Sequence, residues 1–211
     1  MSRRAARAHL AAADPVLGAL IGRVGPCTLV PDRERQPYEA LVSAIAHQQL
    51  HGRAAKAILA RLAARAGSPF PAPPELLSLS DQDLRACGFS GGKIAALREI
   101  ALRALDGTVP SRRAAARLSD AELIERLVPI RGVGRWTVEM LLIFTLGRPD
   151  VFPVDDFGVR EGYRLIHGLP EQPKPRSLAA IAEAYAPYRS TAAWYLWRAA
   201  DAAKPFKPPL P

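Results

Sequence analysis

The sequence predicts an all-α protein, and three observations lead there. Ala, Leu and Arg are abundant, apolar residues recur three and four apart in several segments, and no stretch shows the alternation of a half-buried strand. Proline and glycine then divide the chain into helices. One is predicted near 14–24, closed by Gly25-Pro26. A second covers about 37–66, with a break around His51-Gly52, and Gly67-Ser68-Pro69-Phe70-Pro71 closes it. Ser80 with Asp83 marks the N-cap of a helix stopping at Gly88, and Gly92 opens one running to Gly107. Ser119-Asp120-Ala121-Glu122 is a capping box before Leu123-Ile124-Glu125-Arg126-Leu127. Another helix is expected over about 135–146, and the last segment, residues 204–211, is a Pro-rich tail unsuited to a helix.

Composition narrows the function classes. With 49% hydrophobic and 23% charged residues in 211, the bulk of the chain is expected to fold rather than stay disordered. No apolar run approaches the roughly 20 residues of a membrane span. The basic start has its apolar stretch broken by His9 and Asp14 before it reaches a signal-peptide core, so a cytoplasmic protein is expected. Cys27 and Cys87 stand far apart without a CxxC partner, so neither a disulfide framework nor a thiolate metal site is expected, and no cofactor is implied. The net charge of +9 points to an anionic partner, nucleic acid ahead of a membrane surface.

The most informative stretch is Leu127-Val-Pro-Ile-Arg-Gly132-Val-Gly134-Arg-Trp-Thr137, between two predicted helices. Two glycines around one apolar residue allow a tight turn in which Val133 tucks between the helices while backbone N–H groups face outward. Such a helix N-terminus suits a phosphate and ignores base sequence, although a bare interhelical turn fits the same spacing. Further on, Phe152-Pro153 ends an extended connection, and Val159, Tyr163 and Ile166 recur at helical spacing. Asp155-Asp156 therefore opens a helix, where carboxylates serve as caps or as a fixed anion.

Four motifs, Ala46-His-Gln-Gln-Leu50, Gly132-Val-Gly-Arg-Trp-Thr137, Val151-Phe-Pro-Val-Asp-Asp156 and Pro187-Tyr-Arg-Ser190, together resemble the helix-hairpin-helix DNA glycosylases. Within that family the chain is most similar to the 3-methyladenine-DNA glycosylase II type, from about Tyr38 to Trp197. The resemblance implies two helical subdomains with the active site in the cleft between them. Residues 1–52 with 146–203 would carry the catalytic aspartate, and 53–145 would form a helical bundle ending in the hairpin. The N-terminal β-domain of larger members is not expected.

The same resemblance assigns roles. Asp156 becomes the catalytic carboxylate and Asp155 the helix cap. Breaking an N-glycosidic bond builds positive charge on the sugar, which a nearby anion stabilises. A flipped alkylated base stacks on electron-rich rings. Of Trp136, Trp194, Trp197, Tyr163 and Tyr188, the expected pocket is Trp136, Trp197 and Tyr163. Gly132, Val133, Gly134 and Thr137 form the DNA-binding hairpin. Gln48, Gln49, Leu50 and His51 form the wedge that fills the vacated stack, with Leu50 or His51 as the plug. Trp136 stands where lyase relatives carry a lysine, and no lysine lies between 94 and 173, so a monofunctional hydrolase leaving an abasic site is expected. Its partner would be double-stranded DNA bearing alkylated purines, and a monomer is expected. The competing readings are a non-catalytic hairpin protein that grips DNA, or a glycosylase for uracil or mispaired adenine.

Overall fold

The computed structural model describes residues 2–50 and 52–203. His51, one of the expected wedge residues, and the tail 204–211 lie outside the described residues. Among those described there is no strand, and no helix is long and apolar enough to cross a membrane. The chain opens with α1 (Arg3–Ala13) and α2 (Pro15–Val24). It continues with α3 (Pro37–His47), α4 (Gly52–Ala66), α5 (Pro73–Ser78), α6 (Asp81–Cys87) and α7 (Gly91–Leu105). Then come α8 (Arg112–Ala115), α9 (Asp120–Leu127) and α10 (Arg135–Leu141), the last running on as a π-helical turn, Leu142–Leu146. The chain closes with α11 (Phe157–Ile166), α12 (Pro175–Ala182), a 3₁₀ turn Glu183–Tyr185 and α13 (Arg189–Ala202).

These helices form two units, one continuous (residues 31–146) and one built from the described residues before 31 and after 146. In the continuous unit α7 buries Ile94, Leu97 and Ile100 and packs against α3, α5 and α6. Four of its helices, α6 to α9, start on serines (Ser80, Ser90, Ser111, Ser119) whose side chains accept first-turn amides. The expected boundary after residue 52 moves to 30. The reason is α3, whose buried Leu41, Val42 and Ile45 accompany its packing on α7 and α10.

In the discontinuous unit Leu10, Leu17, Ile21, Val159, Leu178, Tyr195 and Leu196 share one core. The sequence patterning gave no helix over 3–13, because α1 buries only Ala6 and Leu10 and its apolar signal is thin. Asp14 caps α2, its Oδ1 accepting from the amides of Val16 and Leu17, each at 3.0 Å. Its Oδ2 accepts from the Tyr185 hydroxyl at 2.7 Å and lies 3.1 Å from His167 Nε2, which pins α2 to two distant segments. α11 and α13 approach each other closely. A Cβ on Gly162 would overlap the Leu196 carbonyl oxygen, so only glycine lets these helices cross there.

Candidate active site

The hairpin follows α9. The Ile130 amide donates to the Leu127 carbonyl at 3.1 Å, and the Val133 amide to the Ile130 carbonyl at 3.0 Å. Gly132 has φ +78°, and a Cβ there would lie 3.0 Å from the Ala96 side chain and 3.2 Å from Ile45 Cδ1. Both the left-handed conformation and the close packing therefore require glycine. Gly134 differs: its φ is −88°, and a Cβ would meet nothing within 4 Å. As the N-cap of α10 it supplies no side-chain acceptor, so this helix lacks the cap that serine gives α6 to α9. Val133 tucks inward as expected, but its amide is already committed to Ile130, so it contributes packing rather than a donor. Thr137, expected on the DNA side, is only 3% exposed and belongs to the interior.

Between α3 and α4 the chain turns through Gln48, Gln49 and Leu50. Gln49 takes φ +58°, unusual for a side-chain-bearing residue. Leu50 is exposed, an apolar side chain at the tip of a turn. Gln48 does not project; its Nε2 donates to the Gly132 carbonyl at 2.9 Å. The Lys93 ammonium donates to the carbonyls of Ala46 at 3.0 Å and Gln48 at 2.8 Å.

In the discontinuous unit, two sequence segments are bound together to deliver Asp156. Arg189 makes a two-pronged pair with Asp150 (2.9 and 2.8 Å), and the Ser190 hydroxyl accepts the Val151 amide at 2.9 Å. Asp156 then starts α11, its Oδ1 accepting the Val159 amide and the Trp197 Nε1–H, both at 2.8 Å. The cap is thus Asp156 itself, not Asp155, which is exposed. One carboxylate oxygen is held by donors from two helices, which fixes its orientation without a rearrangement. The Trp197 indole reaches it because of Gly158, where a Cβ would lie 2.8 Å from Trp197 Cδ1 and 3.2 Å from Asp156 Oδ1. Nothing in the sequence patterning flagged Gly158 or Gly162, since glycine inside a helical pattern reads only as a weak point.

The expected aromatic residues separate. Trp197 is half-buried and bonded to Asp156, while Trp136 on α10 is 42% exposed. Tyr163 does not belong with them. It is 8% exposed and in the core, its ring stacked on His167 with centroids 4.1 Å apart, because position 163 faces the α2 and α13 side of its amphipathic helix. Phe157, which the sequence reading passed over, is 70% exposed directly after Asp156.

The chain matches the model of HhH-GPD superfamily base excision DNA repair proteins over residues 42–187. It is 45% identical to DNA-3-methyladenine glycosylase 1 of Schizosaccharomyces pombe, across 96% of this chain and 91% of that protein. Its fold superposes on the Schizosaccharomyces pombe 3-methyladenine DNA glycosylase in complex with abasic DNA with TM-score 0.85 and 44% identity, covering 96% of this chain and 99% of that one. A DNA-3-methyladenine glycosidase from Bacillus halodurans matches with TM-score 0.81 and 35% identity, over 90% of this chain and 86% of that one. With its hairpin, its capped aspartate and these matches along nearly its whole length, the chain belongs to the HhH-GPD superfamily of base excision DNA repair proteins.

Proposed function

We propose that this protein is a monofunctional DNA glycosylase that flips alkylated purines of the N3-methyladenine and N7-methylguanine kind out of duplex DNA and hydrolyses their N-glycosidic bond. The observation that carries this reading is the Asp156 carboxylate, oriented by the Val159 amide and the Trp197 indole. A ring alkylated at N3 or N7 is cationic and already a good leaving group, so the enzyme's main task is at the sugar. As the bond lengthens, positive charge develops on the deoxyribose, and a fixed carboxylate stabilises it more than it stabilises the ground state. Water then takes the place of the base, leaving an intact strand with an abasic site. Trp197, beside Asp156, offers a ring face to the cationic base. The Gly134 end of α10 receives a phosphate irrespective of sequence, and Leu50 fills the gap in the stack. We extend this reading to location: the protein works with the genome, in the cytoplasm expected from its sequence.

A lyase needs a nucleophilic amine to form a Schiff base with the sugar. Trp136 occupies the hairpin position, and the Lys93 ammonium is engaged by two carbonyl oxygens. The test is a panel of duplexes carrying N3-methyladenine, N7-methylguanine, 1,N6-ethenoadenine, hypoxanthine or uracil. Release of the methylated purines well ahead of uracil is expected, with strand breakage only after alkali and no borohydride-trapped adduct. Preferred release of uracil, or a trapped adduct, would overturn the reading.

A further inference from the structure

Lys93 is the third residue of α7, where the positive end of the helix dipole disfavours a cation. Partial burial adds to the cost and pulls its ammonium below the ordinary lysine value. Local preference therefore argues against lysine here, and what holds it lies on other elements. The Gln48 amide closes α3 on the carbonyls of Ala44 and Ile45. The next carbonyls, of Ala46 and Gln48, receive the two Lys93 bonds at 3.0 and 2.8 Å. From the same turn the Gln48 side chain reaches the Gly132 carbonyl, and Gly132 is wedged against Ala96 of α7 and Ile45 of α3. Three stretches distant in sequence, 45–50, 93–96 and 130–134, are thereby joined around one cation and one amide.

We infer that Lys93 is a positioning residue: its ammonium locks the Gln48–Leu50 turn to α7, against which Gly132 of the hairpin packs, so that the side chain entering the base stack and the backbone gripping the phosphate meet DNA as one rigid part. This rests on the reading of that turn as the stack-filling wedge. Without the ammonium, two carbonyls lose their partner, and Gln49, already in a left-handed conformation, is free to relax and carry Leu50 out of register.

The test uses the full chain and a duplex with a tetrahydrofuran abasic analogue beside 2-aminopurine, whose fluorescence reports whether a side chain fills the gap. Lys93→Met is expected to bind this duplex yet lose the fluorescence change at saturating protein. It should also release N7-methylguanine about tenfold more slowly in single turnovers, the scale of one unpaired polar group. Lys93→Arg, which keeps a charged multiple donor, should restore most of both. A wild-type fluorescence change in Lys93→Met, or no rescue by Lys93→Arg, overturns the assignment. Should Lys93→Met fail to fold, Gln48→Met cuts the other tie and carries the same test, an unaltered fluorescence change again overturning it. The abasic analogue requires no bond cleavage. A wild-type protein that gives the fluorescence change but releases no base would therefore sink the glycosylase reading and leave the role of Lys93 standing.

Discussion

Two helix N-termini, one in each unit, meet the same electrostatic problem in opposite ways. Both α10 and α11 begin with amides that want an anion. At α11 the chain provides its own, Asp156, and holds it with a second donor from Trp197. At α10 it provides none: Gly134 occupies the cap, although the four preceding helices of that unit all begin on serine. The contrast distinguishes presenting a charge from receiving one. The function proposed above assigns these two ends different work, the α11 carboxylate facing the developing cation on the sugar and the α10 amides facing a phosphate.

The largest effect should come from removing the charge at α11 without removing the cap. In Asp156→Asn the amide oxygen can still accept from Val159, so folding and duplex affinity should persist while base release falls about 100-fold or more. Release at the wild-type rate would remove Asp156 from catalysis. Asp155→Asn, at an exposed position, should change release little.

Gly134→Leu closes the receiving end. The site leaves room for a Cβ and has an ordinary φ, so the variant should fold normally, and any loss must arise from what approaches from outside. Affinity for every duplex should fall by about tenfold with a shallower salt dependence, as expected when a phosphate contact is lost. Unchanged affinity would make the hairpin a turn and nothing more. Gly158→Ala tests the presenting end more gently. Its methyl would push on the Trp197 indole and the Asp156 oxygen, and we expect release to slow by several-fold, up to about tenfold, from misplacement alone.

A third N-terminus sharpens the comparison. Asp14 caps α2 much as Asp156 caps α11, but its second oxygen is held by Tyr185 and His167. Burial pushes its pKa up, yet the Tyr185 hydroxyl, the two amides and the nearby His167 more than offset this and hold it below the usual aspartate value. A folded-state pKa below the unfolded one means that the contribution to stability is present above the unfolded value and is lost as pH falls through the folded one. Asp14→Asn should therefore lower the neutral-pH melting temperature, flatten the acid limb below about pH 4, and leave base release per folded molecule unchanged. The smallest effect is expected from Gly134→Ser, which gives α10 the cap its neighbours have. A gain of a few tenths of a kcal/mol in stability, with slightly weaker DNA binding, would match an N-terminus left open for an outside anion.

Most of the helices were legible because their ends are marked locally. Ser80, Ser119 and the glycines at 25, 67, 88 and 107 are signals a reader can place without knowing the fold. The turn between α9 and α10 and the aspartate that opens α11 were legible as local structure for the same reason, each lying in a short motif. What stayed hidden depends on long-range pairs that leave no local trace: Trp197 on Asp156, Gln48 on Gly132, Lys93 on Ala46. The burial of Tyr163 and Thr137 was not legible, because sequence periodicity gives the apolar face of a helix but not which member of that face stays accessible. Which of Asp155 and Asp156 caps α11 could be told only from the bond to the Val159 amide.

The discontinuity of one unit also sets a timetable for the chain as it is made. Residues 31–146 are contiguous and can close their contacts as soon as they have all emerged, whereas α1 and α2 are made first and must wait for the last third of the sequence. Until Val159, Leu178 and Tyr195 arrive, the apolar faces of Leu10, Leu17 and Ile21 have no core to join. A nascent chain that has emerged as far as residue 146 would therefore carry a finished bundle behind an exposed, adhesive N-terminal pair of helices, which makes this the stage at which a chaperone has most to shield.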